Sequence, residues 1–290
     1  MKVGVVGVGI MGSAIAGNLL KKGAEVVGYD IDGKRVADLA AAGGTPAHSA
    51  SEAADHVETI LTCLPSVEAL AATVDGILER RRPSLVVVEL STLPIEVKVE
   101  ARDRLAASGI AMLDSPLSGT GAQAVTGDLA VYASGERAAY DRAVPVFEKF
   151  ARVSHYLGAF GNGSKMKFVA NLLVAIHNVA SAEAMVLGIK SGLDPADVAR
   201  MIASGAGTSR VFELRAPLMV KCDYAPPTMK IDIWQKDMAV IAAYAASLGV
   251  TTPLFSASIP VYNAAQTEGH GAEDTAAVCA VLERMAGLNR

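Results

Sequence analysis

The sequence predicts an α/β protein: an N-terminal doubly wound domain on a parallel sheet, followed by an all-α domain. Three observations carry that expectation. Short Val/Ile/Leu runs alternate with helix-period stretches of roughly 10 to 15 residues through the first half, as βαβ units do. A glycine-rich turn joins the first apolar run to the first helical stretch. Past residue 163 the alternation stops, and the pattern is helical to the end. The expected domains are 1–162 and 163–290, with a long helix at about 164–191 between them.

Strands are predicted at 2–6, 25–29, 59–64, 85–90 and 110–113, and helices at 11–22, 34–42, 67–81 and 95–108. Gly23, Gly43 and Gly109 stand just past three of these helical runs, where a residue that tolerates left-handed backbone ends a helix. Two more strands, 130–134 and 153–157, flank a helix at 137–150. In the second half, turn-forming residues at 192–195, 205–207, 225–227, 249–253 and 269–271 divide the helices.

Composition narrows the partners. The 290 residues are 51% hydrophobic and 19% charged, enough for two domains with real cores. The net charge of −4 gives no general attraction for phosphate backbones, and the one basic cluster, Arg80-Arg81-Arg82, ends a predicted helix; no nucleic acid is expected. Three scattered cysteines, Cys63, Cys222 and Cys279, suit neither a disulfide framework nor a zinc site, and point to a reducing cytoplasm. The N-terminus enters a strand at once, without a secretory signal pattern. The longest charge-free apolar segment, 168–182, contains Asn171, His177 and Asn178 and is shorter than the ~20 residues of a membrane span, so no membrane association is expected. His48, His56, His155, His177 and His270 show no ligand spacing, so no metal is expected.

The first motif with chemistry in it is Gly7-x-Gly9-x-x-Gly12, directly after a strand and at the mouth of a helix. Glycines there allow a tight turn and close backbone approach. The helix N-terminus offers free N–H groups to a pyrophosphate. Asp30 ends the next strand, where a carboxylate can accept hydrogen bonds from an adenosine ribose. The turn predicts a Rossmann-type dinucleotide site. Asp32 puts a second carboxylate where a 2′-phosphate would lie, which favours NAD over NADP, with Lys34 and Arg35 acting against that preference.

With "AGNLLKKG", "LTCLPS", "ELST", "DSPLSGTGAQAVTGDL", "GNGSKMKFVANLL" and "WQKDMAVIAAYAASLGVTTPL" in order along the chain, the sequence resembles the β-hydroxyacid dehydrogenase family. That family includes 3-hydroxyisobutyrate dehydrogenase, tartronate semialdehyde reductase and L-threonate dehydrogenase. The resemblance runs from residue 1 to about 282. It implies a 6-phosphogluconate dehydrogenase-like C-terminal domain, an active site between the domains, and a homodimer or homotetramer. It implies cofactor contacts from Gly7, Gly9, Ile10, Met11, Gly12, Asp30, Leu64, Pro65, Ser91, Thr92 and Lys236. It gives Ser118, Gly119, Thr120 and Lys236 to the substrate, with Thr120 where the family usually has a second glycine, so that a hydroxyl and a Cβ enter the pocket. Read without the family, 118–121 is a polar turn between strands. The run from 207 to 237, with its Phe-Glu-x-Arg and Asp-Tyr-x-Pro patterns, resembles the L-threonate branch and implies a hydroxylated C3 or C4 acid.

By the same resemblance Lys167 and Asn171 are the catalytic pair. Four residues apart on a helix, they share a face, while Lys165 points nearly the opposite way. Oxidising a secondary alcohol needs a base for the hydroxyl proton, and a lysine desolvated beside Phe168 and Leu172 would have its pKa lowered toward that task. Asn171 could hold the substrate hydroxyl or fix the lysine. Lys167 could equally extend from a helix start to solvent. His177, ten residues on, is off that face. Arg210 and Arg215 could meet a substrate carboxylate or form surface pairs. Two alternatives share this architecture: an imine reductase-like enzyme and a non-catalytic NAD-binding sensor.

Overall fold

A computed structural model describes residues 1–55, 57–80 and 82–290. His56 and Arg81, and with them the end of the predicted helix 67–81, lie outside the described residues. The chain divides into two units, Met1–Lys167 and Phe168–Arg290.

In the first unit a six-stranded parallel sheet contains β1 (Lys2–Val6), β2 (Glu25–Tyr29), β3 (Thr45–Pro46), β4 (Thr59–Thr62), β5 (Val86–Glu89) and β6 (Ala111–Asp114), in the spatial order β3-β2-β1-β4-β5-β6. The chain starts in the middle and winds outward in both directions. This leaves the C-terminal ends of β1 and β4 at the point where the winding reverses, the usual place for a ligand in such sheets. β4 and β5 are buried at every position, which is why neither shows the apolar–polar alternation of a half-exposed strand. The connecting helices are α1 (Ile10–Lys21), α2 (Gly33–Ala41), α3 (Ala50–Ala54), α4 (Val67–Leu78) and α5 (Ile95–Ala106). Separate apolar clusters form around Ile15, Leu19 and Val88 and around Ile60, Leu70 and Val87.

A three-stranded sheet follows: β7 (Leu117–Ser118), β8 (Ala130–Ala133) and β9 (Val153–Tyr156), with α6 (Gly121–Thr126) and α7 (Arg137–Phe150) between them. Its β7–β8 pair is antiparallel and its β8–β9 pair parallel. Asp114 and Ser134 exchange backbone hydrogen bonds of 2.9 and 2.8 Å, which ties this sheet to the end of β6.

α8 (Asn162–Lys190) begins in the first unit and runs into the second, where α9 (Pro195–Ala203), α10 (Arg210–Lys221), α11 (Ile231–Ser247), α12 (Pro253–Thr267) and α13 (Val278–Met285) follow, with two short 3₁₀ turns before α13. Within the second unit Phe168, Ala175, Ala182 and Met185 of α8 are buried, as are Phe212, Trp234, Ile241, Phe255 and Tyr262. Asn178 donates to the Tyr262 hydroxyl (3.0 Å) and the Thr275 carbonyl (2.8 Å), which pins α8 to the last helices.

The predicted strands and long helices are present: 2–6, 25–29 and 137–150 have the expected ends, and the others are shifted by one to three residues. Four short elements went unpredicted: β3, α3, β7 and α6. The reading of 118–121 as a polar turn is corrected: Ser118 ends a strand and Gly121 starts a helix. The apolar segment judged too short to span a membrane belongs to a helix of 29 residues, long and apolar enough to do so by length and composition. Its Asn171 and Asn178 are buried and bonded to other helices of the second unit, which fits a helix packed in protein.

Candidate active site

The dinucleotide turn is built by close backbone packing. Gly7 has φ +86°, and a Cβ on it would lie 2.2 Å from the Cys63 carbonyl oxygen; one on Gly12 would lie 1.9 Å from the Gly7 carbonyl oxygen. Both positions admit only glycine. Gly9 differs: a Cβ there would meet only Arg35, at 3.5 Å. It caps α1 with no side-chain hydrogen bond, and the first turn of α1 carries no acid. The front of the turn therefore presents helix N–H groups and positive dipole, which fits a pyrophosphate. Ile10 is exposed, Met11 half-buried and Gly12 buried.

Asp30 is more committed than the sequence implied. Its Oδ2 accepts the Val8 N–H and its Oδ1 the Asp32 N–H, both at 2.9 Å, so the carboxylate holds the turn together. Arg35, half-exposed, lies 3.4 Å from both Asp30 and Asp32. The pair of carboxylates expected to repel a 2′-phosphate is thus partly neutralised.

The "LTCLPS" and "ELST" segments follow β4 and β5. Leu64 is buried and donates its N–H to the Ser91 Oγ at 2.7 Å, joining the two segments, while Pro65 is exposed and Thr92 half-buried. Burial, with the nearby Glu89 carboxylate, pushes the Cys63 thiol up to about 12, which removes it as a nucleophile.

Beneath Ser91 lies a cluster that the sequence reading missed. Lys98 of α5 is fully buried, and its Nζ reaches Glu89 at 2.9 Å, Asp114 at 2.9 Å and the Ser91 carbonyl at 2.6 Å. Both carboxylates are fully buried too. Burial drives the Glu89 carboxyl above the ordinary carboxylate range against the pull of Lys98, and the two carboxylates hold Lys98 above the ordinary lysine range despite burial. One signal was available: a glutamate at the end of "VVVE" in a strand covered on both faces must have a buried partner.

Ser118, the last residue of β7, and Gly119 and Thr120, between β7 and α6, are half-buried. Gly119 has φ +139°, and a Cβ would lie 2.5 Å from Leu129. Thr120 has a structural duty as well, as the N-cap of α6. Its hydroxyl turns to α6 in a capping box with Gln123, whose side chain accepts the Thr120 N–H at 3.0 Å.

Lys167 is half-buried, next to the buried Phe168. Lys165 is exposed and reaches the Asn162 side chain at 3.1 Å, a helix-start contact. Asn171, 4% exposed, lies one turn after Lys167, as the spacing predicted. Its Nδ2 donates to Asp237 Oδ2 at 3.0 Å, and Asp237 Oδ1 lies 3.2 Å from Lys236 Nζ. Asp237 therefore orients both the asparagine and the lysine.

The remaining candidates have other duties. Arg210 pairs with Glu213 on the surface. Arg215 is buried and bonded to Asp274 at 3.1 Å and to Thr228, so the surface-pair expectation fails for it: its partner is a core carboxylate. His177 is half-buried on α8, and His270 pairs with Glu273.

A doubly wound sheet with a glycine turn at its reversal point and a following helical unit defines a nicotinamide dinucleotide oxidoreductase fold. Comparison with known proteins narrows this. Residues 2–158 match the model described as the NAD binding domain of 6-phosphogluconate dehydrogenase, and residues 161–282 that described as NAD-binding of NADP-dependent 3-hydroxyisobutyrate dehydrogenase. The chain is 35% identical to an L-threonate dehydrogenase of Cupriavidus necator, over 97% of this chain and 95% of that one. A crystal structure of 3-hydroxyisobutyrate dehydrogenase from Salmonella typhimurium superposes with TM-score 0.88 at 32% identity, covering 97% and 99% of the two chains. The chain belongs to the β-hydroxyacid dehydrogenase family, and is an NAD-binding enzyme of that class. A Streptomyces aurantiacus imine reductase, at 24% identity and TM-score 0.66, shares the fold alone, so the imine reductase reading is not favoured.

Proposed function

We propose that this enzyme interconverts a short hydroxylated β-hydroxyacid of the threonate kind and its carbonyl form, with Lys167 as general acid and base. The observation that carries the reading is the arrangement around Asn171: one helical turn after Lys167, buried, and held by the same carboxylate that holds Lys236. When bound, the nicotinamide would supply the acceptor for the hydride that leaves the carbinol carbon in the oxidising direction. The neutral Lys167 amine takes the hydroxyl proton as the carbon–oxygen double bond forms. In reduction the ammonium returns that proton to the alkoxide oxygen. Ser118 and the Gly119 N–H hold the substrate carboxylate, and Lys236 supplies a second cation to the acid and the nicotinamide side. Gly7, Gly9, Ile10, Met11 and Gly12 hold the pyrophosphate, Asp30 the ribose, and Leu64, Pro65, Ser91 and Thr92 the remaining cofactor contacts. The L-threonate relative and the short polar 118–120 segment support a C3 or C4 polyhydroxy acid over the branched apolar 3-hydroxyisobutyrate.

Lys167→Ala is expected to lower kcat by ~10²–10⁴-fold, the usual contribution of a general base, with NAD affinity within about twofold of wild type. NADH formation on L-threonate, glycerate and 3-hydroxyisobutyrate checks both claims. Wild-type turnover in the variant removes Lys167 from the mechanism, and a best rate on 3-hydroxyisobutyrate overturns the substrate class. Tight NAD binding with no turnover on any acid would make the protein a sensor.

The enzyme is read as a cytoplasmic homodimer or homotetramer. The three cysteines are free thiols. Val169, Leu173 and Leu187 on α8 are 55%, 47% and 70% exposed, a row of aliphatic side chains that a second copy would cover. Light scattering on the purified protein tests this, and a monomer at micromolar concentration rejects it.

A further inference from the structure

The first turn of α8 has every free N–H group occupied. Asn162 N–H donates to the Ala159 carbonyl (3.1 Å), Gly163 N–H to Ser134 Oγ (2.9 Å) and Ser164 N–H to Asp114 Oδ2 (2.8 Å), and Lys165 N–H begins the helical ladder at the Gly161 carbonyl. Ser164 Oγ also donates to Asp114 Oδ1 at 2.7 Å, so a single carboxylate grips one residue twice. The same Asp114 is held from behind by Lys98 and from the side by the Ser134 hydroxyl. Contact here is between backbones: a Cβ on Gly163 would lie 2.2 Å from the Tyr132 carbonyl oxygen and 2.7 Å from that of Asp114.

Such a cluster is an expensive way to close a helix end. Two carboxylates and one ammonium, all fully buried, forfeit hydration that an apolar contact would not, and well-packed hydrophobic residues are often as stable or more so. What the ions add is direction. Each bond at Asp114 has a fixed acceptor and a charged one, and together they fix where α8 starts and how it is rotated. Helix termini otherwise fray, and Lys167 stands only three residues past Ser164. A proton-transfer group must be held within about half an ångström of its productive place.

We propose that Asp114 and Ser164, backed by Lys98, are positioning residues for Lys167: they lock the first turn of α8 and so aim the lysine, and through the Lys98 bond to the Ser91 carbonyl they tie that aim to the segment after β5. The inference rests on the reading of Lys167 as the proton-transfer group.

The test is a double-mutant cycle with Ser164→Ala and Lys167→Ala, measured as kcat and KM on the preferred acid, with NADH affinity by fluorescence and melting temperature for every variant. Ser164→Ala alone should lower kcat about tenfold, a loss of orientation worth ~1.4 kcal/mol, with KM and NADH affinity within about twofold. In the Lys167→Ala background it should change the residual rate by less than about twofold, because its effect passes through the missing lysine. A further tenfold loss there shows that Ser164 acts by general destabilisation and overturns the inference while leaving Lys167 catalytic. Wild-type turnover in Lys167→Ala alone overturns the reading of Lys167 and the inference with it. If Ser164→Ala melts below the assay temperature, Ser134→Ala, which frees the Gly163 N–H and removes the hydroxyl that steadies Asp114 while leaving both Ser164 bonds in place, is used instead, with an expected loss of about threefold and the same dependence on Lys167.

Discussion

The two helices that matter most to the first unit begin in opposite ways. α1 starts at Gly9 with no side-chain cap and no acid in its first turn. α8 starts with its N–H groups taken up by Ser134 and Asp114, inside a network of buried charge. A helix N-terminus attracts anions wherever it lies, so the difference is in who supplies the anion. The protein leaves α1 uncapped, where the proposed function puts the phosphates of the cofactor, and closes α8 with its own carboxylate. An open end is a binding site, and a closed end is a fixture.

Closing the open end should have the largest effect. Gly9→Asp would place a carboxylate at the N-cap of α1, where the backbone is extended and a Cβ meets only Arg35 at 3.5 Å. Aspartate is a good N-cap, so the melting temperature should hold or rise slightly. NAD affinity should fall about 100-fold or more, since a charge of the same sign would occupy the pyrophosphate position. Calorimetric titration with NAD checks this, and an affinity within about threefold of wild type would show that the phosphates do not lie at this turn.

A smaller effect is expected from Arg35, which lies beside the same open end and within 3.4 Å of Asp30 and Asp32. In Arg35→Ala the two carboxylates face a 2′-phosphate without their counter-charge, so kcat/KM with NADP should drop about tenfold while that with NAD changes less than about threefold. Improved use of NADP would mean that Arg35 blocks the phosphate instead of tolerating it.

The two helix starts also differ in how far the sequence exposed them. Gly7, Gly9 and Gly12 are a local pattern: the residues that make the turn lie within six positions, and Asp30 follows at the end of the next strand. The same holds for α7, predicted at 137–150 and found there, because fourteen residues give the helical period room to repeat. β3, α3, β7 and α6 are two to six residues long, too short for a period to register, and they form because their neighbours provide partners. The closed start of α8 is assembled from β5, α5, β6, the end of β8 and α8 itself, residues spread from Glu89 to Ser164. Lys98 looks like a surface residue in "IEVKVEARDRLA", and only the fold reveals that it is fully buried. That Lys167 and Asn171 share a helix face was legible through their spacing, whereas the Asp237 bond to Asn171 spans 66 positions and was not.

The smallest expected effect probes the charge behind the closed end. Three ionisable groups meet there, one cation and two anions, so one carboxylate is in excess. Glu89 is the one that burial pushes above the ordinary carboxylate range. A carboxyl group with a raised pKa in the folded state binds a proton there before it does in the unfolded chain. Its burial cost is therefore fully felt above the folded pKa, and it is relieved as pH falls from that value toward the ordinary one near 4.5. Glu89→Gln removes this titration while keeping an acceptor for the Ser91 N–H and leaving Lys98 paired with Asp114. The free energy of unfolding should therefore rise more steeply on acidification in wild type than in the variant, by at most ~1.4 kcal/mol per pH unit, the limit for one proton. Urea melts between pH 8 and pH 5 measure the two slopes. If they coincide, Lys98 keeps Glu89 ionised throughout, and the excess negative charge at the closed helix start is balanced by the helix dipole instead of by a proton.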